Sequence, residues 1–145
     1  MVCTFFGHRE CYGLDEEVLL DTVKSLIKNG VDTFYVGNHG YFDNMVLSCL
    51  IKLQKAYPHI SFSVVLAYLP TANNANYSSN VPSIYPEELE TTPKRFAIDK
   101  RNTWMLGRAS YCICYINHTW GGSYKFARSA KRRGLIVINL GRAEL

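Results

Sequence analysis

Gly121-Gly122-Ser123 is the segment of this sequence best suited to hold an anion. It follows an apolar run, Tyr111–Ile116, and precedes a helical pattern that begins near Tyr124. Glycine lets a ligand approach the backbone closely, and the free N–H groups of a first helical turn point at such a ligand. The Ser123 hydroxyl is predicted either to cap the helix or to bind a phosphate oxygen. Because Gly-Gly pairs also close ordinary turns, the assignment depends on other residues.

A second candidate segment, Gly7-His8-Arg9, ends the first apolar run of the chain. An arginine at this position offers a planar fork of donors for a phosphate or a carboxylate. The alternative is a loop arginine that pairs with the nearby Glu10 or Asp15. Both interpretations stay open on the sequence.

A third segment contains Gly37 and Gly40 and leads to Asp43 in the first turn of a predicted helix. A carboxylate there favours the positive end of the helix dipole. The functional alternative is that Asp43 accepts hydrogen bonds from ligand hydroxyls, such as those of a ribose. Local capping is the default interpretation, and the paired glycines raise the weight of the second.

Arg101 and Asn102 form a polar pair on a predicted helix. Asn102 falls on one face with apolar neighbours, which are Ile98, Met105, Leu106 and Ala109. A buried polar side chain without partners costs about 1–3 kcal/mol, so Asn102 is predicted to brace a neighbouring loop or to contact the ligand. Trp104 is predicted to belong to the core.

Three histidines, His8, His39 and His118, fall in predicted loops after strands, whereas His59 lies at the opposite edge. No carboxylate or cysteine at ligand-like spacing accompanies them, so no metal site is expected. The chain has no G-x-S-x-G elbow, Walker A lysine motif or G-x-G-x-x-G fingerprint. Ordinary dinucleotide dehydrogenase chemistry is therefore disfavoured.

Five strands and four helices are predicted to position these segments. The strands are Val2–Phe6, Asp32–Val36, Ile60–Leu69, Tyr111–Ile116 and Leu135–Leu140, and the helices cover about 15–29, 42–57, 96–109 and 122–133. This alternation predicts an α/β, Rossmann-like, doubly wound and mainly parallel five-stranded sheet with helices on both faces. Right-handed crossovers bring the loops 7–9, 37–43 and 117–123 to one edge, where doubly wound sheets bind ligands.

The segment from about 70 to 92 interrupts this alternation. It is rich in Asn, Ser, Thr and Pro and carries Tyr77 and Tyr85. So long an irregular stretch in a small domain indicates a lid or a flexible excursion. We expect it to fold over the base of a ligand through one of the two tyrosines.

Composition favours one domain over residues 1–145, because 48% of the residues are hydrophobic and 19% are charged. The net charge of +4 suits an anionic small ligand. Part of it lies in the last helix, on Lys125, Arg128, Lys131, Arg132 and Arg133. A solvated basic helix is favoured there over a nucleic-acid surface, because no interleaved aromatic residues indicate base stacking.

The five cysteines are odd in number and include no C-x-x-C pair, which favours reduced core thiols in a cytoplasmic protein. The N-terminus lacks the pattern of a signal peptide, and no apolar run is long enough to span a bilayer. Neither secretion nor membrane association is expected.

In combination, these segments resemble a known family. Thr4-Phe5-Phe6-Gly7-His8-Arg9, Gly37-x-x-Gly40-x-x-Asp43, Arg101-Asn102-x-x-Met105 and Gly121-Gly122-Ser123 are similar to the YpsA-like branch of the SLOG superfamily. This superfamily groups the DprA (Smf) proteins with the cytokinin-activating LOG proteins. The resemblance spans nearly the whole chain and implies a pocket that binds nucleotides or nucleotide derivatives. Related families also suggest a homodimer.

The chain departs from the LOG pattern at the position that matters for catalysis. LOG enzymes cleave the base from nucleoside monophosphates, and their motif reads roughly P-G-G-x-G-T-x-x-E. The segment here, Trp120 to Phe126, keeps the glycine pair and lacks the proline, the third glycine and the glutamate. Ligand binding is therefore the leading hypothesis. N-glycosidic hydrolysis, with Asp43 as the remaining candidate acid, and DprA-like binding of single-stranded DNA are the alternatives.

Overall fold

Strands alternate with helices along the chain in the computed structural model, which describes residues 1–69 and 81–145. The strands are β1 (Val2–Gly7), β2 (Thr33–Val36), β3 (Ser61–Val65), β4 (Ser83–Ile84), β5 (Tyr111–Tyr115) and β6 (Ile136–Asn139). The helices are α1 (Glu16–Lys28), α2 (Tyr41–Ala56), α3 (Ala97–Arg108) and α4 (Gly122–Arg132). The predicted Rossmann-like α/β class is confirmed.

The sheet has the strand order β4-β3-β2-β1-β5-β6, and every neighbouring pair is parallel. The order reverses between β1 and β5, so the loops that follow these two strands flank the switch point of the fold. The ends of β1 and β5 run in register, with Gly7 opposite Tyr115. This register sets the first loop directly beside the segment that leads to α4.

The prediction of five strands is wrong, because β4 adds a sixth at the edge of the sheet. Hydrogen bonds flank the pairing of β4 with β3, from the Val64 N–H to the Pro82 carbonyl at 2.9 Å and from the Leu66 N–H to the Ile84 carbonyl at 2.8 Å. A two-residue strand is too short to show an alternating pattern. The predicted third strand, Ile60–Leu69, was too long. Leu66 and Ala67 continue the apolar run because they are buried, although they lie outside β3.

Helices cover both faces of the sheet. On one face, α1 and α2 pack over Phe5, Phe34 and Val36, and on the other, α3 and α4 pack over Phe6 and Cys114. Helix α1 begins at Asp15, whose carboxylate accepts a hydrogen bond from the Glu17 N–H at 2.9 Å. Its predicted stripe, Leu19, Val23, Leu26 and Ile27, is buried. These two apolar layers fix the position of the sheet edge from which the loops after the strands extend.

The predicted lid is only partly covered by the structure. Residues 70–80, including Tyr77, lie outside the described residues. The part from 81 to 92 contains the two-residue strand β4 and a 3₁₀ helix over Glu87–Thr91. Tyr85 packs against a small cluster of Ala67, Leu89 and Ala97 and does not line the cavity described below.

The five cysteines are free and buried. Within the two described stretches of chain, no helix has the length and apolar character needed to cross a membrane.

Candidate functional site

A cavity of about 300 Å³ opens at the switch point between β1 and β5. It is lined by most of the residues that the sequence singles out, namely Gly7, His8, Arg9, Gly37, Asp43, Arg101, Asn102, Gly122 and Ser123. Of the predicted site residues, Gly40 and Gly121 are outside the lining. The fold thus gathers segments of the chain more than 110 residues apart around one space, as in the contact between Ser123 and Gly7.

The first turn of α4 offers unpaired donors to this cavity. Gly121 precedes the helix with φ +92°, a left-handed conformation that favours glycine. Among the described residues, no acceptor is bonded to the N–H groups of Gly122, Ser123 or Tyr124. A side chain placed at Gly122 would meet nothing within 4 Å, so the space above this turn is open.

Ser123 does not cap α4, which corrects one of its two predicted roles. Its hydroxyl donates a hydrogen bond of 2.7 Å to the Gly7 carbonyl at the end of β1. This bond joins α4 to the central strand, while the Ser123 N–H has no hydrogen-bond acceptor among the described residues. The first turn of α4 is therefore held in place by Ser123 without being blocked by it.

The first turn of α2 is occupied by the protein itself. The Tyr41 N–H donates to the Arg9 carbonyl at 2.8 Å, and the His39 N–H donates to Asp43 Oδ2 at 2.9 Å. Gly40, at φ +96°, permits this packing, because a Cβ there would lie 2.7 Å from the Arg9 Cα. The carboxylate of Asp43 braces the loop from Gly37 to Gly40. This contact agrees with the local structural role of Asp43 that the sequence predicts by default.

Arg101 is the feature that sequence reasoning ranked too low. Its side chain is only 2% exposed, whereas Asn102 is half-buried, so the buried polar residue of α3 is Arg101 and not Asn102. The guanidinium donates to the Asn102 Oδ1 at 2.8 Å, to the Val65 carbonyl at 3.0 Å and to the Asn38 Oδ1 at 3.4 Å. A further contact of 3.3 Å joins Nη2 to His39 Nδ1. Every one of these partners is a neutral group.

No carboxylate within residues 1–69 and 81–145 forms an ion pair with Arg101. Asp43 is nearby, and Gly37 separates them: a Cβ at Gly37 would lie 2.8 Å from Arg101 Nη1 and 2.9 Å from Asp43 Oδ2. Burial raises the pKa of Asp43 to about 6, and the charge of Arg101 only partly opposes that shift. Arginine stays protonated, so the cavity wall carries a buried cation that forms no ion pair with a carboxylate of the described residues.

Arg9 adds a second cation to the cavity. Its side chain is exposed and lines the opening, and within the described residues it forms no ion pair with Glu10 or Asp15. The pairing alternative that the sequence left open is therefore not seen. With Arg101 in the wall and Arg9 at the rim, two cations line the cavity together with the carboxyl groups of Asp43 and Asp99.

The histidines are arranged for packing and hydrogen bonding. His8 stacks on His118, while His39 contacts Arg101 and lies edge-on to Tyr68. In the chain as far as the structure describes it, no three His, Cys, Asp or Glu side chains are grouped to hold a metal ion. Burial, Arg101 and Arg9 lower the pKa of His39 to about 4, which keeps its ring neutral at pH 7.

Opposite pKa shifts of His39 and Asp43 predict compensating effects of pH on stability. Asp43 is raised from 3.8 to about 6, so its stabilising contribution is present below pH 3.8 and is lost as the pH rises to about 6. His39 is lowered from 6.5 to about 4, so its contribution is present above pH 6.5 and is lost as the pH falls to about 4.

Single replacements should expose each contribution. Relative to the wild type, the free energy of unfolding of His39→Asn is expected to fall as the pH rises from about 4 to 6.5, and that of Asp43→Asn is expected to rise. Urea unfolding followed by circular dichroism across this range measures both trends. Two variants whose curves run parallel to the wild type would contradict the assignment of these shifts.

Comparison with known proteins identifies the fold. No protein-family model matches the chain, and no curated protein matches it significantly. Among solved structures, it is similar to DNA processing protein A (DprA) from Helicobacter pylori, with a TM-score of 0.63 and 14% sequence identity. That structure is described for its binding of single-stranded DNA, and the match covers 99% of this chain and 66% of that one. At this identity the likeness shows a shared Rossmann-like fold.

Proposed function

We propose that this chain binds a nucleotide or a nucleotide-derived ligand in the cavity at the carboxyl edge of the sheet. The observation that carries the proposal is Arg101, a buried cation in the cavity wall whose contacts are neutral groups. Burying a charge is costly unless an opposite charge or good hydrogen bonds compensate it. An anionic group of a ligand in the cavity supplies that compensation.

The phosphate of the ligand is placed at the N-terminus of α4. There the N–H groups of Gly122 and Ser123 are unpaired in the described structure, and the helix dipole adds a partial positive charge. Arg9 at the rim offers its fork to the same phosphate. Gly7 and His8 form the adjoining wall, and Asn102 orients Arg101 through the 2.8 Å bond to Nε.

The family proposal follows from the motifs and is compatible with the fold. We assign the chain to the SLOG superfamily, of which DprA is a member, and within it to the YpsA-like branch. With this assignment we also propose that residues 1–145 form a single domain, that the protein is a homodimer, and that its location is cytoplasmic. The five free cysteines support the last of these, since reduced thiols are typical of that compartment.

Calorimetric titration tests the proposed function. The wild-type protein is titrated with inorganic phosphate, nucleoside 5′-monophosphates, cyclic nucleotides and ADP-ribose. Saturable binding of at least one phosphate-bearing nucleotide is expected, and Arg9→Ala is expected to weaken it by about 10- to 150-fold, as for a charged hydrogen bond. The proposal fails if no compound binds, or if Arg9→Ala leaves every affinity unchanged.

A second candidate, hydrolysis of an N-glycosidic bond, is favoured by one observation on Asp43. This carboxyl lines the cavity, and its pKa of about 6 is close to the operating pH that a general acid requires. The glutamate of the LOG motif has no counterpart after Gly122, so Asp43 is the candidate group for proton transfer. Incubation with nucleoside monophosphates separates the two functions, because free base is released only by the hydrolase.

Binding of single-stranded DNA is a third candidate, favoured by the fold shared with DNA processing protein A. The net charge of +4 supplies a modest attraction for a polyanion. Binding to a DNA backbone weakens steeply as salt rises, since counterions are released. An affinity that stays flat between low and high salt would remove this candidate.

A further inference from the structure

Three aromatic rings form a continuous stack beside the cavity. The ring centroids of His8 and His118 are 3.7 Å apart with planes at 16°, and those of His118 and Trp120 are 3.8 Å apart with planes at 18°. His8, at one end, lines the cavity. Trp120, at the other end, is 67% exposed, so His118 covers one face of the indole and the other face is open to solvent.

Backbone hydrogen bonds fix the orientation of the two imidazoles. The Asn117 N–H donates to His8 Nε2 at 3.0 Å, and His118 Nδ1 lies 3.0 Å from the Trp120 carbonyl. A carbonyl only accepts, so His118 Nδ1 carries the proton of that bond. Burial and the neighbouring His118 lower the pKa of His8, which favours the neutral form of the stacked ring. The stack of His8, His118 and Trp120 is therefore preorganised for ligand binding.

The stack adjoins the proposed phosphate position. His118 Cε1 lies 4.0 Å from where a Cβ of Gly121 would be, and Trp120 is the residue directly before Gly121. Consecutive Cα atoms are about 3.8 Å apart, so the Cα of Trp120 lies at most about 8 Å from that of Gly122 in the first turn of α4. A base and a phosphate joined by one sugar can bridge a distance of this order.

The size of the cavity argues that the base lies outside it. A volume of about 300 Å³ is at the lower end of the range for ligand pockets. The lining combines charged groups, including Arg101 and Asp43, with apolar side chains such as Phe6 and Met105. The exposed face of Trp120 offers a base a further apolar contact outside this space.

We propose that Trp120 stacks on the nucleobase of a nucleoside 5′-phosphate unit whose phosphate lies at the N-terminus of α4. The inference rests on the proposed function and specifies the ligand as one with an aromatic base. Because every base has a π face, stacking of this kind tolerates different bases. A free nucleotide and a single-stranded DNA provide the same unit.

The test compares ligands with and without a base. Trp104→Phe leaves Trp120 as the single tryptophan of the chain, and this variant serves as the background. AMP is expected to quench the Trp120 fluorescence and to bind about 5- to 100-fold more tightly than ribose 5-phosphate. Trp120→Ala should lower the AMP affinity by that factor and leave the ribose 5-phosphate affinity unchanged, while Trp120→Phe should retain most of the AMP affinity.

The outcomes separate this inference from the function on which it rests. Equal affinities for AMP and ribose 5-phosphate, unaffected by Trp120→Ala, overturn the stacking and leave the phosphate site in place. Equal weakening of both ligands by Trp120→Ala also overturns it, since the stack then only braces the loop before α4. If neither ligand binds, the proposed function fails and the inference fails with it.

A single-stranded DNA, as a third ligand, shows whether the nucleoside 5′-phosphate unit belongs to a free nucleotide or to a DNA strand. A single-stranded DNA hexamer is titrated in parallel with AMP, on the same background and on Trp120→Ala. Tighter binding of the hexamer that depends on Trp120 supports stacking within a DNA strand. Tighter binding of AMP that depends on Trp120 supports stacking of a free nucleotide.

Discussion

Gly122→Asp is expected to abolish binding of phosphate ligands while the protein stays folded. The new carboxylate enters open space, because nothing lies within 4 Å of a Cβ at this position. An acidic residue in the first turn favours the helix dipole, so the free energy of unfolding should be unchanged or slightly higher. A phosphate about 4 Å from the carboxylate is repelled by about 4 kcal/mol at an effective dielectric constant of about 20. Calorimetry should therefore show a loss of at least about 100-fold in affinity.

Two control variants separate charge from size and position. Gly122→Asn places a neutral side chain of the same size at this site and should lose much less affinity than Gly122→Asp. Gly107→Asp makes the same change of charge near the C-terminal end of α3, where nothing lies within 4 Å of a Cβ either. It should bind like the wild type. Full affinity in Gly122→Asp would place the anion elsewhere.

Arg101→Met is expected to remove ligand binding by a different route. Losing one partner of a buried, hydrogen-bonded charge pair costs about 2–5 kcal/mol, which is a loss of about 30- to 4,000-fold in affinity. Without ligand, the variant loses the hydrogen bonds to the Val65 carbonyl and Asn38, which lowers its stability. It also removes a buried charge that has no ion pair, which raises its stability. These effects oppose each other, so its free energy of unfolding should change by less than about 2 kcal/mol.

Ligand-induced stabilisation is the measurement that separates binding from folding in Arg101→Met. A ligand at 100 times its Kd stabilises the wild type by about 2.7 kcal/mol, which raises its Tm. No rise is expected for Arg101→Met. Arg108→Met removes the same charge from the exposed end of α3 and should keep the full rise. A normal rise in Arg101→Met would show that the buried cation serves the fold and not the ligand.

Much of the fold could be predicted because its signals are local and periodic. The alternation of strand and helix patterns predicted the α/β class, and the stripe of α1 matches its buried residues. β4 was missed because Ser83 and Ile84 carry no periodicity and gain strand geometry only by pairing with β3. Their pairing is a tertiary effect that a single sequence does not reveal.

The site was harder to predict because burial decides the role of each residue. The spacing on α3 marked Asn102 as the polar residue on an apolar face, whereas the helix is rotated so that Arg101 is buried and Asn102 orients it. The stack of His8, His118 and Trp120 joins residues that are 110 positions apart, and its signal in the sequence is only a histidine and a tryptophan before a glycine pair. The ligand roles of these residues stay predictions.

An NMR titration tests the central claim, that a phosphate binds between the first turn of α4 and Arg101. The ¹⁵N-labelled protein is titrated with AMP and with inorganic phosphate, and the backbone amides and the Arg101 Nε–H are followed. We expect saturable shifts with both ligands at the amides of Gly122 and Ser123 and at Arg101. Shifts confined to the exposed basic turn of α4, at Lys131 and Arg132, or no saturable shifts at all, would contradict the claim.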